Sequence, residues 1–421
     1  MNRGLKILAL AITIALGLQA SASAQEGKRC QTDEYLRQWF SEQQRSEMPG
    51  RSAFENWLKE GRIEAGRLAT DTNVYQIPVV VHIIHKGEAL GIGTNVSDER
   101  VRSQIQILNE DYRRKVGTLG FNTDQRGADA MIEFVLARRA EDSTPSSGII
   151  RIDGGNRDWS IGDDATLKGL SRWNPAKYLN LHICDVAGSF IGYSSFPLVP
   201  GWNFDPNAPN TEGVVIDYKA FGLGSESRLY NKGRTATHEI GHYLGLLHLW
   251  GDQASCGGDD FCTDTPNQNG EINLCPTTAV ACPGSTDPMI PNYLNYTNDI
   301  CMNIFTTDQV TRMRYVMRNG LNRRSLTNSV GLVANKPQKA RKTMVVVDAA
   351  YADDFISITD TGPLAVKKEV VVIDIKGRLL YGFDSYSASE QVNTKGFSLG
   401  MYVVKVRKGG EVVTKKIAIT N

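Results

Sequence analysis

The pattern of apolar and polar positions divides the chain into stretches of distinct character. Residues 7–18, ILALAITIALGL, are almost wholly apolar, and Arg3 and Lys6 precede them. Ala22-Ser23-Ala24 follows, with small residues at its outer positions. This is the pattern of an export signal cut before Gln25. The stretch is shorter than the roughly 20 apolar residues a membrane span needs, and no other segment comes near that length. From 25 to 72 the chain is polar. TDEYLRQWFSEQQR and RSAFENWLKEGRIEAGR repeat apolar residues every three or four positions, which predicts short helices. At YQIPVVVHIIHKG the pattern changes, and the apolar run from Ile77 to Ile84 predicts a buried strand. VSDERVRSQIQILNEDYRR predicts a helix capped by Ser97, with Val101, Ile105, Leu108 and Tyr112 on one face. MIEFVLARR, YLNLHIC and GVVIDYKAFG read as strands.

A further helix is predicted from about Lys232. A last one covers TTDQVTRMRYVMRNGL, with Thr307 as its cap and Gly320 as its stop. Between them, residues 251–300 are rich in Gly, Pro, Asp, Asn and Cys, which predicts loop held by disulfides rather than regular structure. LTNSVGLVANKPQKARK, 326–342, has the composition of a linker. After it, strand follows strand to the end of the chain, with turns at DIKGRL and RKGGEV, and a small all-β sandwich is expected.

Composition narrows this little. The 421 residues suffice for two or three domains. A net charge of +1 leaves no overall basic field, so nucleic acid and anionic membrane are not expected partners. The seven cysteines fit an exported protein, and the odd number leaves at least one thiol free or with a special task.

Candidate chemistry is concentrated in HEIGHYLGLLH. His238 and His242 are four apart, so on a helix they share a face and can share a metal ion. Glu239 projects beside them. Gly245 sits where a turn with positive φ would end the helix and bring His248 back under the ion. Three imidazoles suit zinc, with a fourth position left for water. Zinc held by neutral ligands lowers the pKa of its water toward about 7, and Glu239 is placed to take the proton as general base and return it to a leaving amine. His82, His85 and His182 stand on predicted strands without chelating spacing, so packing or surface roles are expected for them. Cys30 is the odd cysteine, early in the chain.

The motif H-E-x-x-H-x-x-G-x-x-H is that of the metzincin metalloproteases. Together with Asp264-Thr265-Pro266 and NYLNYTNDICMNIFT (292–306), it resembles the pappalysin family, over roughly residues 75–320. This resemblance implies a secreted zinc endopeptidase cutting proteins or peptides and made as a latent zymogen. It implies an α+β metzincin domain: a twisted mixed sheet, an active-site helix, a backing helix and an irregular lower part. It places Leu294 at the position of the methionine turn and Tyr296 near the tetrahedral intermediate. It suggests bridges Cys256–Cys282 and Cys275–Cys301, leaving Cys184 and Cys262 either paired together or buried as thiols. It suggests calcium at Asp260 and Thr265. Related pro-segments carry an Arg-Cys-Gly-Thr element, so Cys30 is a candidate latency switch, with a disulfide to Cys184 or Cys262 as the alternative. Some relatives cut before arginine, using an acidic residue near the last bridging cysteine. Here Ile300 holds that place and Asp299 is one back. An arginine preference would make Gly50–Arg51 a natural maturation bond. The last ~80 residues resemble the C-terminal sorting domain of the type IX secretion system of Bacteroidetes, which implies that machinery as a partner and a secreted or cell-surface location. The expected division is therefore a signal peptide over 1–24 and a pro-segment over 25–50, with about 72 as its outer limit. A catalytic domain over 51–325, a linker over 326–342 and a sorting domain over 343–421 follow. Two rival readings are a surface binding protein with a decayed protease site and a zinc amidase acting on cell-wall peptides.

Overall fold

The computed structural model describes residues 29–42, 54–61, 72–198, 211–333 (positions 252 and 254 apart) and most of 345–419. The expected signal peptide lies outside these residues. The chain divides into two compact units, with the boundary between Ala334 and Asn335.

The first unit is built on a sheet of six strands. Strand β1 (Tyr75–His85) lies next to β4 (Leu179–Cys184), then β6 (Val214–Asp217), then β5 (Gly192–Ser194) at one edge. On its other side β1 pairs first with β2 (Ile132–Leu136) and then with β3 (Ile149–Asp153). All pairings are parallel except β5 with β6. Side chains alternate across a strand. Ile77, Val79, Val81 and Ile83 therefore enter the main core, with Val101, Leu108 and Tyr112 of α3 (Asp98–Tyr112) and Ile240 of α5 (Arg234–Tyr243). Val80, His82 and Ile84 face the opposite side. There His82 stacks on His182, with ring centroids 4.6 Å apart, so these two histidines are packed in the interior rather than at the surface.

Local chemistry sets the helix limits. Ser97 caps α3 by accepting from the Arg100 amide. The helix expected from Lys232 begins at Arg234, because Gly233 takes a left-handed φ of 73° just before it. The cap of α6 (Thr307–Asn319) is Thr306, not Thr307: a glutamine three residues on, Gln309, completes a reciprocal capping box with Thr306. Residues 326–333, read as linker, form two short 3-10 turns with Leu326 fully buried, so they belong to the first unit. Disulfides Cys256–Cys282 and Cys275–Cys301 hold the lower part, where β7 (Asn273–Leu274) pairs with β8 (Tyr296–Thr297). Cys184 and Cys262 are buried thiols. Two helices precede the sheet, α1 (Thr32–Glu42) and α2 (54–61), and a short one, α4 (Asp164–Gly169), follows β3.

The second unit has a three-stranded sheet in the order β13 (Ser389–Asn393), β10 (Phe355–Asp360), β9 (Val345–Ala349), and a four-stranded sheet in the order β12 (Leu379–Ser385), β11 (Lys368–Asp374), β14 (Gly400–Lys408), β15 (Glu411–Ile419), sharing a core that includes Ile358, Val372, Val404 and Val406. Within it, Lys408 pairs with Asp360 at 2.5 Å, and both side chains are buried.

Candidate active site and metal centre

Every residue of α5 is buried, polar ones included. Burying polar groups without partners is costly, and the partners are specific. The Asp111 carboxylate of α3 accepts from the Arg234 guanidinium at 3.0 Å and from the Thr237 hydroxyl at 2.7 Å. These bonds fix the rotation of α5 about its axis. His238 and His242 are thereby aimed at one point.

The bend at Gly245, with φ of 90°, ends the helix. It brings His248 Nε2 to 3.2 Å from that of His238 and 3.1 Å from that of His242, and the His238–His242 separation is 3.2 Å. The Nδ1 atoms decide the tautomers. His238 Nδ1 donates to the Tyr293 carbonyl at 2.7 Å, and His242 Nδ1 donates to the Leu246 carbonyl at 2.9 Å. A carbonyl accepts only, so in the neutral rings each Nε2 carries a lone pair. Converging lone pairs repel unless a cation lies between them. A tetrahedral zinc ion with bonds of about 2.0–2.1 Å would set its nitrogens about 3.3–3.4 Å apart, close to the observed spacing. The donor set fits the ion.

Cys30 completes the cluster: its Sγ and the three imidazole nitrogens all lie within 4.8 Å of one another. Burial pushes the Cys30 thiol up to about 12, and the neighbouring Glu239 adds to this. It pushes the His238 imidazole well down and raises the Glu239 carboxyl to about 7. A bound cation would favour the thiolate. Glu239 Oε2 accepts from the Thr32 hydroxyl at 2.8 Å, while Oε1 has no hydrogen-bond partner. The Ser194 amide of β5 donates to Thr32 Oγ1 at 3.0 Å, and the Gln31 amide donates to the Gly192 carbonyl. The segment 29–32 therefore lies along the edge of the sheet and covers the site.

Leu294 is fully buried beneath α5, where a Cβ on Gly241 would stand 3.2 Å from its Cδ2. The adjacent Tyr293 carbonyl is the one that orients His238. The Tyr296 ring lies 5.0 Å from that of His248, and its hydroxyl donates to the Cys30 carbonyl at 3.2 Å. Asp260 and Thr265 are joined directly, Thr265 Oγ1 to Asp260 Oδ1 at 2.7 Å, and Asp260 Oδ2 is buried without a partner.

The sequence offers Asp299 as a candidate but gives no sign of what pairs with it. Arg29, immediately before Cys30, is fully buried, and its Nη2 donates to Asp299 Oδ1 at 2.7 Å and to the Thr297 carbonyl at 2.8 Å. Its guanidinium lies 4.5 Å from the centroid of the Tyr230 ring. The Lys232 and Arg234 amides hold the other Asp299 oxygen. The partnership spans 270 positions, so no local pattern announces it.

Residues 164–318 match the peptidase family described as pregnancy-associated plasma protein-A. An extracellular metalloprotease of Arthroderma gypseum is 31% identical over 269 residues, covering 62% of this chain and 80% of that protein. Mature mirolysin of Tannerella forsythia, solved with a cleaved peptide, is 40% identical with a TM-score of 0.53, covering 61% of this chain and 96% of that one. The chain belongs to the pappalysin family. A promirolysin mutant of the same organism is 35% identical with a TM-score of 0.58, and that match covers 71% of this chain and 97% of that one. Residues 352–420 match the secretion system C-terminal sorting domain. This pappalysin is a secreted or cell-surface zinc metalloendopeptidase of metzincin fold, made as a zymogen and carrying a type IX sorting domain. No helix among the described residues is long and apolar enough to cross a membrane.

Proposed function

We propose that His238, His242 and His248 hold the zinc and that Glu239 is the general base of peptide hydrolysis. The observation that carries this is the convergence of three imidazole Nε2 atoms beside a carboxyl group with one unpartnered oxygen. Zinc, when bound there, supplies Lewis-acid polarisation of the scissile carbonyl and acidifies water. Glu239 takes the proton from the attacking water and hands it to the leaving amine. The Tyr296 hydroxyl, which holds the Cys30 carbonyl in the precursor, donates to the developing oxyanion once Cys30 departs.

Cys30 is the latency switch in this reading. Its sulfur stands 3.5 Å from His242 Nε2 and the same distance from Glu239 Oε2, so it blocks both the fourth ligand position and the base. Arg29 fills the neighbouring pocket as a substrate arginine would, and cleavage before arginine follows from the buried Asp299 at its floor. Maturation at Gly50–Arg51 agrees with that preference, although this bond lies outside the described residues. The unpartnered oxygens of Asp260 and Asp264 favour a calcium ion in this loop, with Asp260 and Thr265 among its ligands. Residues 343–421 deliver the protein to the type IX machinery.

The test is digestion of a denatured protein by the mature enzyme, with Glu239→Ala and a zinc chelator as controls. Cleavage before arginine, lost in both controls and regained on adding zinc, is the expected result. Cleavage that survives Glu239→Ala overturns the assignment.

A further inference from the structure

The bend that carries the third histidine is braced from behind by a part of the chain that precedes the sheet. Gly245 cannot be replaced there without strain: its φ is 90°, and a Cβ would meet the Phe54 ring at 2.9 Å and Val316 at 3.0 Å. Its carbonyl points to α6, where Arg312 Nε donates to it at 2.7 Å. The rest of that guanidinium is taken by Glu55 of α2. Arg312 Nη1 donates to Glu55 Oε2 at 2.7 Å, and Nη2 donates to Glu55 Oε1. Arg312 is only 5% exposed and Glu55 only 3%. The Phe54 ring lies 5.2 Å from the guanidinium and 4.7 Å from the Phe196 ring, and Trp57 packs edge-on against Tyr315 of α6. A planar guanidinium held on two sides has one position left for its third donor. Glu55 thus determines where Arg312 holds the Gly245 carbonyl.

We propose that Glu55 acts through Arg312 as a positioning residue for the Gly245 bend and hence for His248, a role that requires α2 to stay in the mature enzyme, as a cut at Gly50–Arg51 leaves it. This rests on reading His248 as a zinc ligand. It also divides the early part of the chain. Arg29 to Tyr35 cover the site and must leave for activity, whereas Phe54 onward supports it and must stay. Removing α2 would strip a buried arginine of its partner directly behind the metal-binding bend.

Two measurements on the full-length precursor and its self-matured product test this. N-terminal sequencing of mature enzyme is expected to find a start before Phe54; a start after Phe54 overturns the proposal. The second measurement is the rate at which mature enzyme yields zinc to a chromogenic chelator. Groups that orient metal ligands typically change affinity 10- to 100-fold. Glu55→Gln should therefore release zinc at least about 10-fold faster, with KM for an arginine-containing peptide unchanged, because the Asp299 pocket lies elsewhere. The double variant Glu55→Gln with Arg312→Met removes the unpaired charge. It should recover thermal stability but not zinc retention, a split that a purely structural role would not produce. Wild-type release rates in Glu55→Gln, or joint recovery of both properties in the double variant, overturn the proposal. Should Glu55→Gln fail to fold, the sequencing result decides the matter. Wild-type enzyme that never binds zinc would defeat the ligand assignment instead.

Discussion

At the residue scale, the two side chains on which the proposed latency and arginine preference rest are consecutive. Arg29 occupies a pocket floored by Asp299, and Cys30 faces the imidazoles. Asp299 uses one oxygen for the guanidinium and the other for two backbone amides, so Asp299→Asn keeps the fold of the pocket but removes its charge. Losing one partner of a buried charge pair costs about 2–5 kcal/mol. Cleavage before arginine by Asp299→Asn should accordingly fall by roughly 10²–10³ in kcat/KM, while peptides with an apolar residue there change little. Profiling a peptide library with both enzymes checks this; an unchanged arginine preference would remove Asp299 from the pocket's role. For Cys30→Ala, the expectation is a precursor that digests itself or a reporter peptide before any cut is made. A variant precursor as silent as wild type ends the switch hypothesis.

At the element scale, α5 and the turn beneath it work as one unit. The turn's Tyr293 carbonyl fixes the His238 tautomer, and its Leu294 fills the space under Gly241. Leucine stands here at the position of the turn's methionine. In the fold it is fully buried and packed. Leucine and methionine differ little in volume, so Leu294→Met should alter unfolding free energy by less than about 1.5 kcal/mol and leave zinc content unchanged. Denaturant titration and metal analysis measure both; a large gain in zinc content would show that leucine handicaps the site. Helix existence and side were legible from periodicity, as in α3 and its Ser97 cap. Exact limits were not. Thr306 and Thr307 look alike in the sequence, and only the reciprocal bond with Gln309 separates them. The start of α5 depends on a left-handed glycine whose carbonyl accepts from Gln104 of α3, a contact 129 positions away.

At the scale of the whole molecule, the sheet carries a buried polar layer on the face away from α5. His82 Nε2 donates to Asn180 Oδ1 at 2.9 Å and its Nδ1 accepts from the Ser171 hydroxyl at 3.0 Å, which satisfies the neutral ring. Burial pushes His82 down to about 4, and burial together with the neighbouring His82 pushes His182 well down too. In the unfolded chain these rings protonate near 6.5, so below that pH the unfolded state binds more protons. Their neutral burial is therefore fully stabilising above about pH 6.5 and is lost as pH falls toward 4. For His82 alone this amounts to about 3 kcal/mol. Urea midpoints measured from pH 7 to 4 should decline, and His82→Gln should flatten the decline; parallel curves would contradict it. The two units have separate cores, consistent with a sorting tail that serves export rather than hydrolysis.

The amino-acid sequence by itself determined the nature of the chemistry. A helical period places two imidazoles on one face, a glycine permits the bend, and a third imidazole follows at the right distance. Each of these is a consequence of spacing within eleven residues, His238 to His248. Tertiary structure alone decided everything that joins distant parts of the chain: Arg29 with Asp299, Thr32 with Glu239, Glu55 with Arg312 behind Gly245. Local periodicity reports which way a side chain faces, but not what it meets. Those meetings arise only when the sheet, the two leading helices and the disulfide-held loop enclose one another and every buried polar group must find a partner.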